Sequence, residues 1–129
     1  MDFKNTENAS MPMVALRGLV VFPKETLHFD VGRKKSIAAV KSAMVSKQDV
    51  FLIAQKNIQE DLINEKTLYS VGTVCEVKQI VRLPGTDALR VVVEGKYRAK
   101  LDKITSDRPY FTADTIPLFD KVPQRLDTF

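Results

Sequence analysis

The chain carries one histidine, His28, and one cysteine, Cys75. Nucleophilic or acid–base chemistry needs such groups beside partners, a serine or thiol against an imidazole and the imidazole against a carboxylate. His28 sits within Leu27-His28-Phe29-Asp30-Val31, where apolar and polar residues alternate. In that phase its ring faces water, and no Ser-His-Asp set can be assembled around it. Cys75 falls on the apolar side of its own alternating segment and reads as a small buried hydrophobe. Positions 28 and 75 are also too far apart in sequence to read as a metal-ligand cluster. The five glycines form neither G-x-x-x-x-G-K-[ST] nor G-x-G-x-x-G. Pro84-Gly85-Thr86-Asp87 joins two strands, so no helix N-terminus stands there to hold a phosphate. Glu60 and Asp61 lie in a polar loop, where water solvates them. The residues that could do chemistry therefore point to a binding protein rather than an enzyme, with no metal and no cofactor held by this chain.

Two features remain. Arg33-Lys34-Lys35 opens a helical pattern, and cations in a first turn oppose the helix macrodipole. Either they are a solvated helix end, or they form a basic lip facing an acidic partner, an adjoining domain or RNA. The second feature is apolar residues at strand ends and turns. Phe22 and Pro23 end an apolar run, Leu83, Pro84 and Leu89 flank a turn, and Met11 and Met13 lie opposite Val14 and Leu16. Either loops fold them back onto the core, or they are exposed spots that hold extended polypeptide.

The elements that must position these residues follow from periodicity. Met11 to Arg17 predicts a first strand. Leu19 to Phe22 ends at Pro23, which suits an edge or a turn. Leu27, Phe29 and Val31 alternate with polar neighbours and predict a half-buried strand. A helix is expected from Arg33 to Lys47, with Ile37, Val40 and Met44 as its buried stripe and Ala43 beside them. Val50 to Ala54 is a short continuous apolar run, the pattern of a strand buried on both faces. Strand, helix and strand over residues 26–55 predict a right-handed crossover. Residues 57–69 read as a loop or a poor helical turn.

Val71 to Leu83 and Leu89 to Leu101 alternate strictly and predict a long antiparallel hairpin. Gly95 interrupts the second apolar face, where a bulge or bend would let a sheet curl. Tyr110 to Ile116 gives a last strand, and Pro117 and Pro123 introduce a polar tail. The expected fold is mainly β with one or two helices (α+β), a curved, mostly antiparallel sheet forming a pseudo-barrel. Residues 1–10 read as a disordered lead-in, 11–117 as the domain, and 118–129 as a linker.

The bulk numbers agree with one domain. The 129 residues are 44% hydrophobic, enough for a core. No window approaches the roughly 18 apolar residues of a membrane span, and the polar N-terminus is neither signal nor transit peptide. A lone cysteine fits a reducing, cytoplasmic setting. The net charge of +4 is uneven: residues 1–48 carry +4, 49–70 carry −2 and 71–129 carry +2. A pI near 9.2 permits a nucleic-acid partner without requiring one.

In order along the chain, ALRGLVVFP, VGRKKSIAAV, LYSVGTVCEVKQIVRLP and VVVEGKYRA resemble the N-terminal domain of the Lon family of ATP-dependent proteases. The resemblance covers residues 12–116. Val31 to Ile37, Leu68-Tyr69 with Val71-Gly72-Thr73, and Val93-Glu94-Gly95 are specific in combination. It implies a PUA-like pseudo-barrel that captures damaged or unfolded substrates and helps to organise a hexamer. It also implies an ATPase module, with ATP and magnesium, and a Ser-Lys protease downstream in the full enzyme, both outside this chain. Three positions depart from the family pattern. Gly18 replaces a common Asp or Asn, His28 replaces a frequent proline, and LPGTDALR replaces the usual Leu-Pro-Asp-Gly-Thr turn.

The leading expectation is thus a substrate-recognition module. Phe22, Pro23, Leu83, Pro84 and Leu89 are its expected apolar contacts, and Arg33, Lys34 and Lys35 its basic rim. The alternatives are a PUA-like nucleic-acid-binding module, which lacks an aromatic stacking set, and a purely architectural domain for hexamer assembly.

Overall fold

The computed structural model describes residues 10–118. The expected lead-in and linker, with Pro123, otherwise lie outside the described residues. Six strands and one helix run in the order β1 (Met11–Leu16), β2 (Thr26–Val31), α1 (Lys34–Ser46), β3 (Val50–Ala54), β4 (Val71–Arg82), β5 (Leu89–Ser106) and β6 (Thr112–Leu118). Residues 57–69 form a loop, as expected, joined to β3 by a bridge between Gln55 and Leu68.

The sheet closes on itself. β3 pairs in parallel with β1 and antiparallel with β4, and β4 forms the expected hairpin with β5. β6 then pairs with both β5 and β1, so five strands form a ring. The 18-residue length of β5 makes this possible. One of its edges carries β4; the other carries β2 first, from Leu89 to Glu94, and then β6, from Arg98 to Ser106. Register shifts let the strands bend. One opposes Val74/Cys75 to Gly95 and Tyr97, which is where the sequence predicts a bend.

The crossover differs from expectation. β3 lies parallel to β1, not to β2, because β2 is paired with β5. The connection between the parallel strands therefore carries both β2 and α1.

Two cores result, one on each face. Met13, Ala15, Phe51, Ile53, Val74, Ala99, Leu101 and Ala113 form one cluster to which every ring strand contributes. The other face of the same strands, with Val14, Leu16, Val50 and Leu52, packs against α1 and β2. β3 is thus buried on both faces, as its apolar run predicts. Met13 belongs to this packing at 1% exposure, and Met11 packs partly against it, so neither is a surface contact. Each such side chain contributes about 1.5–3 kcal/mol when fully buried.

The helix is one residue shorter at each end than predicted, with Arg33 and Lys47 as its caps. Its buried stripe is also rotated. Ser36, Ala39, Val40 and Ala43 are buried, whereas Met44 is exposed and Ile37 is only partly covered. Small residues at the contact let α1 lie close against the sheet, which leaves the larger Met44 at the edge.

Candidate functional site

The segment from Arg17 to Glu25 is a loop, not a strand, and it forms one wall of an apolar cleft. Backbone-directed bonds hold it, among them the following. Thr73 Oγ1 donates to the Val21 carbonyl at 2.5 Å. Lys24 N–H donates to the Gly95 carbonyl at 2.7 Å, and Gly95 N–H donates to the Glu25 carbonyl at 2.9 Å. Phe22 N–H donates to Glu25 Oε1 at 3.1 Å. Gly95 is required for this approach: a Cβ there would stand 2.3 Å from the Phe22 carbonyl oxygen. Gly18, at φ +74°, turns the chain into the loop. Asp and Asn tolerate that conformation better than other side chains, so the departure from the family residue leaves the turn intact.

Fixed this way, the apolar run alternates although it is not a strand. Val21 points into the core at 2% exposure, while Val20 and Phe22 remain 51% exposed. The cleft holds about 370 Å³ and lies between the loop, the end of β3 and the start of β4. Leu19, Val20, Tyr69 and Val71 give it apolar walls, and Arg98 supplies its one cation. Tyr69 is itself half-exposed, so the cleft is flanked by large apolar groups open to solvent.

The other expected contacts lie elsewhere. Pro84 is exposed and Leu83 half-buried at the hairpin tip. Pro84 and Gly85 (φ +76°) make a turn closed by Thr86 N–H on the Leu83 carbonyl at 3.3 Å. Leu89 is a correction. It pairs with Val31 on one side and Arg82 on the other, its side chain joins the core, and only 6% of it is exposed. Gly95 lies six positions along β5 from Leu89, about 20 Å of strand. The structure therefore does not bring the hairpin tip and Phe22 into one patch.

The basic triplet also divides. Lys34 is exposed, and the Lys35 ammonium lies 4.7 Å from the centre of the Phe111 ring. Arg33 is tied inward, donating to the Ala15 carbonyl at 2.8 Å and to Gln55 Oε1 at 3.2 Å. Gln55, 3% exposed, also accepts from Arg17 and donates to the Glu60 carbonyl at 2.8 Å. Burial, and then the charge of Arg17, lower the Arg33 pKa from its ordinary value. Arg33 thus fastens β1 to the 57–69 loop.

The chemical candidates stand as the sequence reads them. His28 is exposed on β2. Cys75 is fully buried, and burial pushes its thiol up to about 12. Among the described residues no group of three or more His, Cys, Asp or Glu could hold a metal ion, and no helix is long and apolar enough to cross a membrane.

A ring of strands, one helix and an apolar cleft define a β-rich domain of the pseudo-barrel type. The family model for the substrate-binding domain of ATP-dependent protease La (Lon) matches residues 10–127, and the chain belongs to that family. Among curated relatives, it is 48% identical over 117 residues to the Lon protease of Clostridium acetobutylicum, covering 91% of this chain and 15% of that protein. It is 44% identical over 111 residues to the Lon protease of Syntrophomonas wolfei, covering 86% of this chain and 14% of that protein. The chain therefore spans about one-seventh of the relatives it matches.

Two solved structures share the fold. One is the N-terminal domain of a Mycobacterium avium complex Lon protease, with a TM-score of 0.69 at 18% identity over 86% of this chain and 55% of that one. The other is a Lon N-terminal domain protein from Xanthomonas campestris, with a TM-score of 0.65 at 13% identity over 86% of this chain and 60% of that one.

Leu19, Val20, Tyr69 and Arg98 line the cleft, and sequence reasoning did not point to them. Val20 and Leu19 stand in an apolar run that reads, from its end at Pro23, as an edge or a turn with Phe22 and Pro23 as the exposed members. Tyr69 ends a polar loop whose path the sequence leaves open. The signal that was available is Gly95: a glycine inside a strand marks a close backbone approach as well as a bend.

Proposed function

We propose that this domain captures unfolded polypeptide for an ATP-dependent serine protease, through the cleft beneath the Arg17–Glu25 loop. The observation that carries the reading is the cleft itself, an apolar hollow lined by Leu19, Val20 and Tyr69, with Val20 and Tyr69 half-exposed on it and Phe22 half-exposed on the same loop. Unfolded chains expose apolar side chains, and each one buried gains up to about 1.5–3 kcal/mol. Ordering the bound segment costs much of that gain, so a single domain binds weakly. Several copies in one assembly, a hexamer on the family resemblance, raise the effective concentration and convert weak contacts into retention. Such contacts are tolerant of sequence, as a protease with many substrates requires. Phe22 and Pro23 keep their proposed role as contacts. Leu83 and Pro84 form a separate minor spot, and Lys34 and Lys35 a basic rim in the first turn of α1.

The test is binding of a fluorescently labelled, reduced and carboxymethylated model protein, followed by anisotropy. Serine at Val20, Phe22 and Tyr69 together should abolish binding, whereas serine at Leu83 should leave it nearly intact. Equal affinities for the two variants would overturn the assignment.

A further inference from the structure

A second cavity, of about 290 Å³, opens at the start of α1. Met13, Ala15, Ile63 and Phe111 give it an apolar floor. At its mouth α1 begins with no side-chain cap and no acidic residue in the first turn. The first N–H groups of a helix have no intrahelical acceptor. Among the described residues, Ile37 N–H finds the Arg33 carbonyl at 2.9 Å, but no acceptor faces the N–H groups of Lys34, Lys35 or Ser36. Arg33, Lys34 and Lys35 add positive charge where the helix dipole is already positive.

An independent observation points the same way. Ser36 lines this cavity, is 8% exposed, and its hydroxyl has no hydrogen-bond partner among the described residues. A buried hydroxyl without a partner is unfavourable unless water or a ligand satisfies it, and a ligand oxygen can take the place of that water. Asp61 also lines the cavity, but its carboxylate is engaged by Arg17 at 3.0 Å. The mouth thus has donors and cations in excess, directly beside an apolar floor.

We propose that this cavity binds the C-terminal carboxylate of a peptide that ends in an apolar residue. The proposal rests on the reading that the domain binds polypeptide. A chain end carries its carboxylate and its side chain on one Cα, so a single residue meets both the N–H donors and the apolar floor. An internal Asp or Glu carries its charge at the tip of the side chain and would need a second residue to fill the floor. The carboxylate accepts from the helix N–H groups and the Ser36 hydroxyl, and Lys34 neutralises its charge. The terminal side chain packs on Phe111 and Ile63.

The probes are acetyl-Ser-Ala-Ala-Leu-Phe with a free C-terminus, the same peptide as its amide, and an amidated peptide with an internal aspartate. In amide NMR titrations the free acid should shift Lys34, Lys35 and Ser36 and bind at least tenfold more tightly than either amide. Ser36→Ala should weaken the free acid several-fold. Lys34→Glu, at an exposed position, places a carboxylate in the first turn and should erase the tenfold preference. Equal binding of acid and amide, or equal binding of the internal-aspartate peptide, would overturn the proposal. Failure of the cleft reading is distinguishable: it is the absence of shifts at Val20, Phe22 and Tyr69 with an amidated unfolded chain.

Discussion

The Leu19–Pro23 loop and the Leu83–Leu89 hairpin tip are both short apolar connections between strands, yet they dispose of their apolar residues in opposite ways. At the hairpin, strand phase decides. Leu89 already belongs to the ladder, so its side chain goes to the core, Leu83 is half-buried, and of the three expected contacts only Pro84 is left exposed at the tip. In the loop no ladder dictates phase. Bonds to Thr73 and Gly95 fix the backbone instead, and they hold Val20 and Phe22 outward while Val21 is buried. Apolar side chains become a presented surface where the backbone beneath them is anchored, not wherever apolar residues cluster in a turn.

That contrast can be broken or sharpened by substitution. The largest effect is expected at Leu89→Ala, which should destabilise the domain by about 2–5 kcal/mol in urea unfolding. A surface contact would cost far less. Gly95→Ala should cost about 1–3 kcal/mol, because the new Cβ meets loop backbone rather than a flexible side chain. It should also weaken polypeptide binding by displacing the loop, while amide signals at Leu83–Asp87 stay in place. Thr73→Val should cost about 1 kcal/mol or somewhat more, since it leaves the Val21 carbonyl without its donor. Phe22→Ser should change stability by no more than about 0.5 kcal/mol. It should nevertheless weaken polypeptide binding roughly fivefold, the equivalent of about 1 kcal/mol. Pro84→Ala should do neither.

Much of the scaffold is legible in the sequence because it obeys simple periods. The alternation of Leu89–Leu101, the continuous run Val50–Ala54 and the helix after Gly32 all appear where they are expected. The parallel pairing of β3 with β1 is not legible, since it depends on which edge of β5 takes β2. The rotated stripe of α1 was hidden for a similar reason. Ile37 and Met44 are the more apolar choices, but Ala39 and Ala43 let the helix approach the sheet. The site was the least legible part. LVVFP has the composition of scaffold and presents Val20 and Phe22, whereas GRKKS has the composition of a surface and contributes Arg33 and Ser36 to the fold.

Cys75 supplies a check on the core beneath both regions. Its thiol is raised from 9.0 to about 12 by burial, so the folded chain holds the proton when the unfolded chain releases it. Stability should therefore decline as pH rises from about 9 towards 12, and alkylation at pH 8 should proceed only under denaturing conditions. Rapid native alkylation would show that the core around β4 opens.

The most direct test of the central claim is amide chemical-shift mapping of the domain with a reduced, carboxymethylated unfolded protein. The largest shifts are expected at Val20, Tyr69 and Val71 in the cleft and at Phe22 on the loop that walls it, with small shifts at Leu83–Asp87. Shifts centred on the hairpin tip, with the cleft unmoved, would contradict the account.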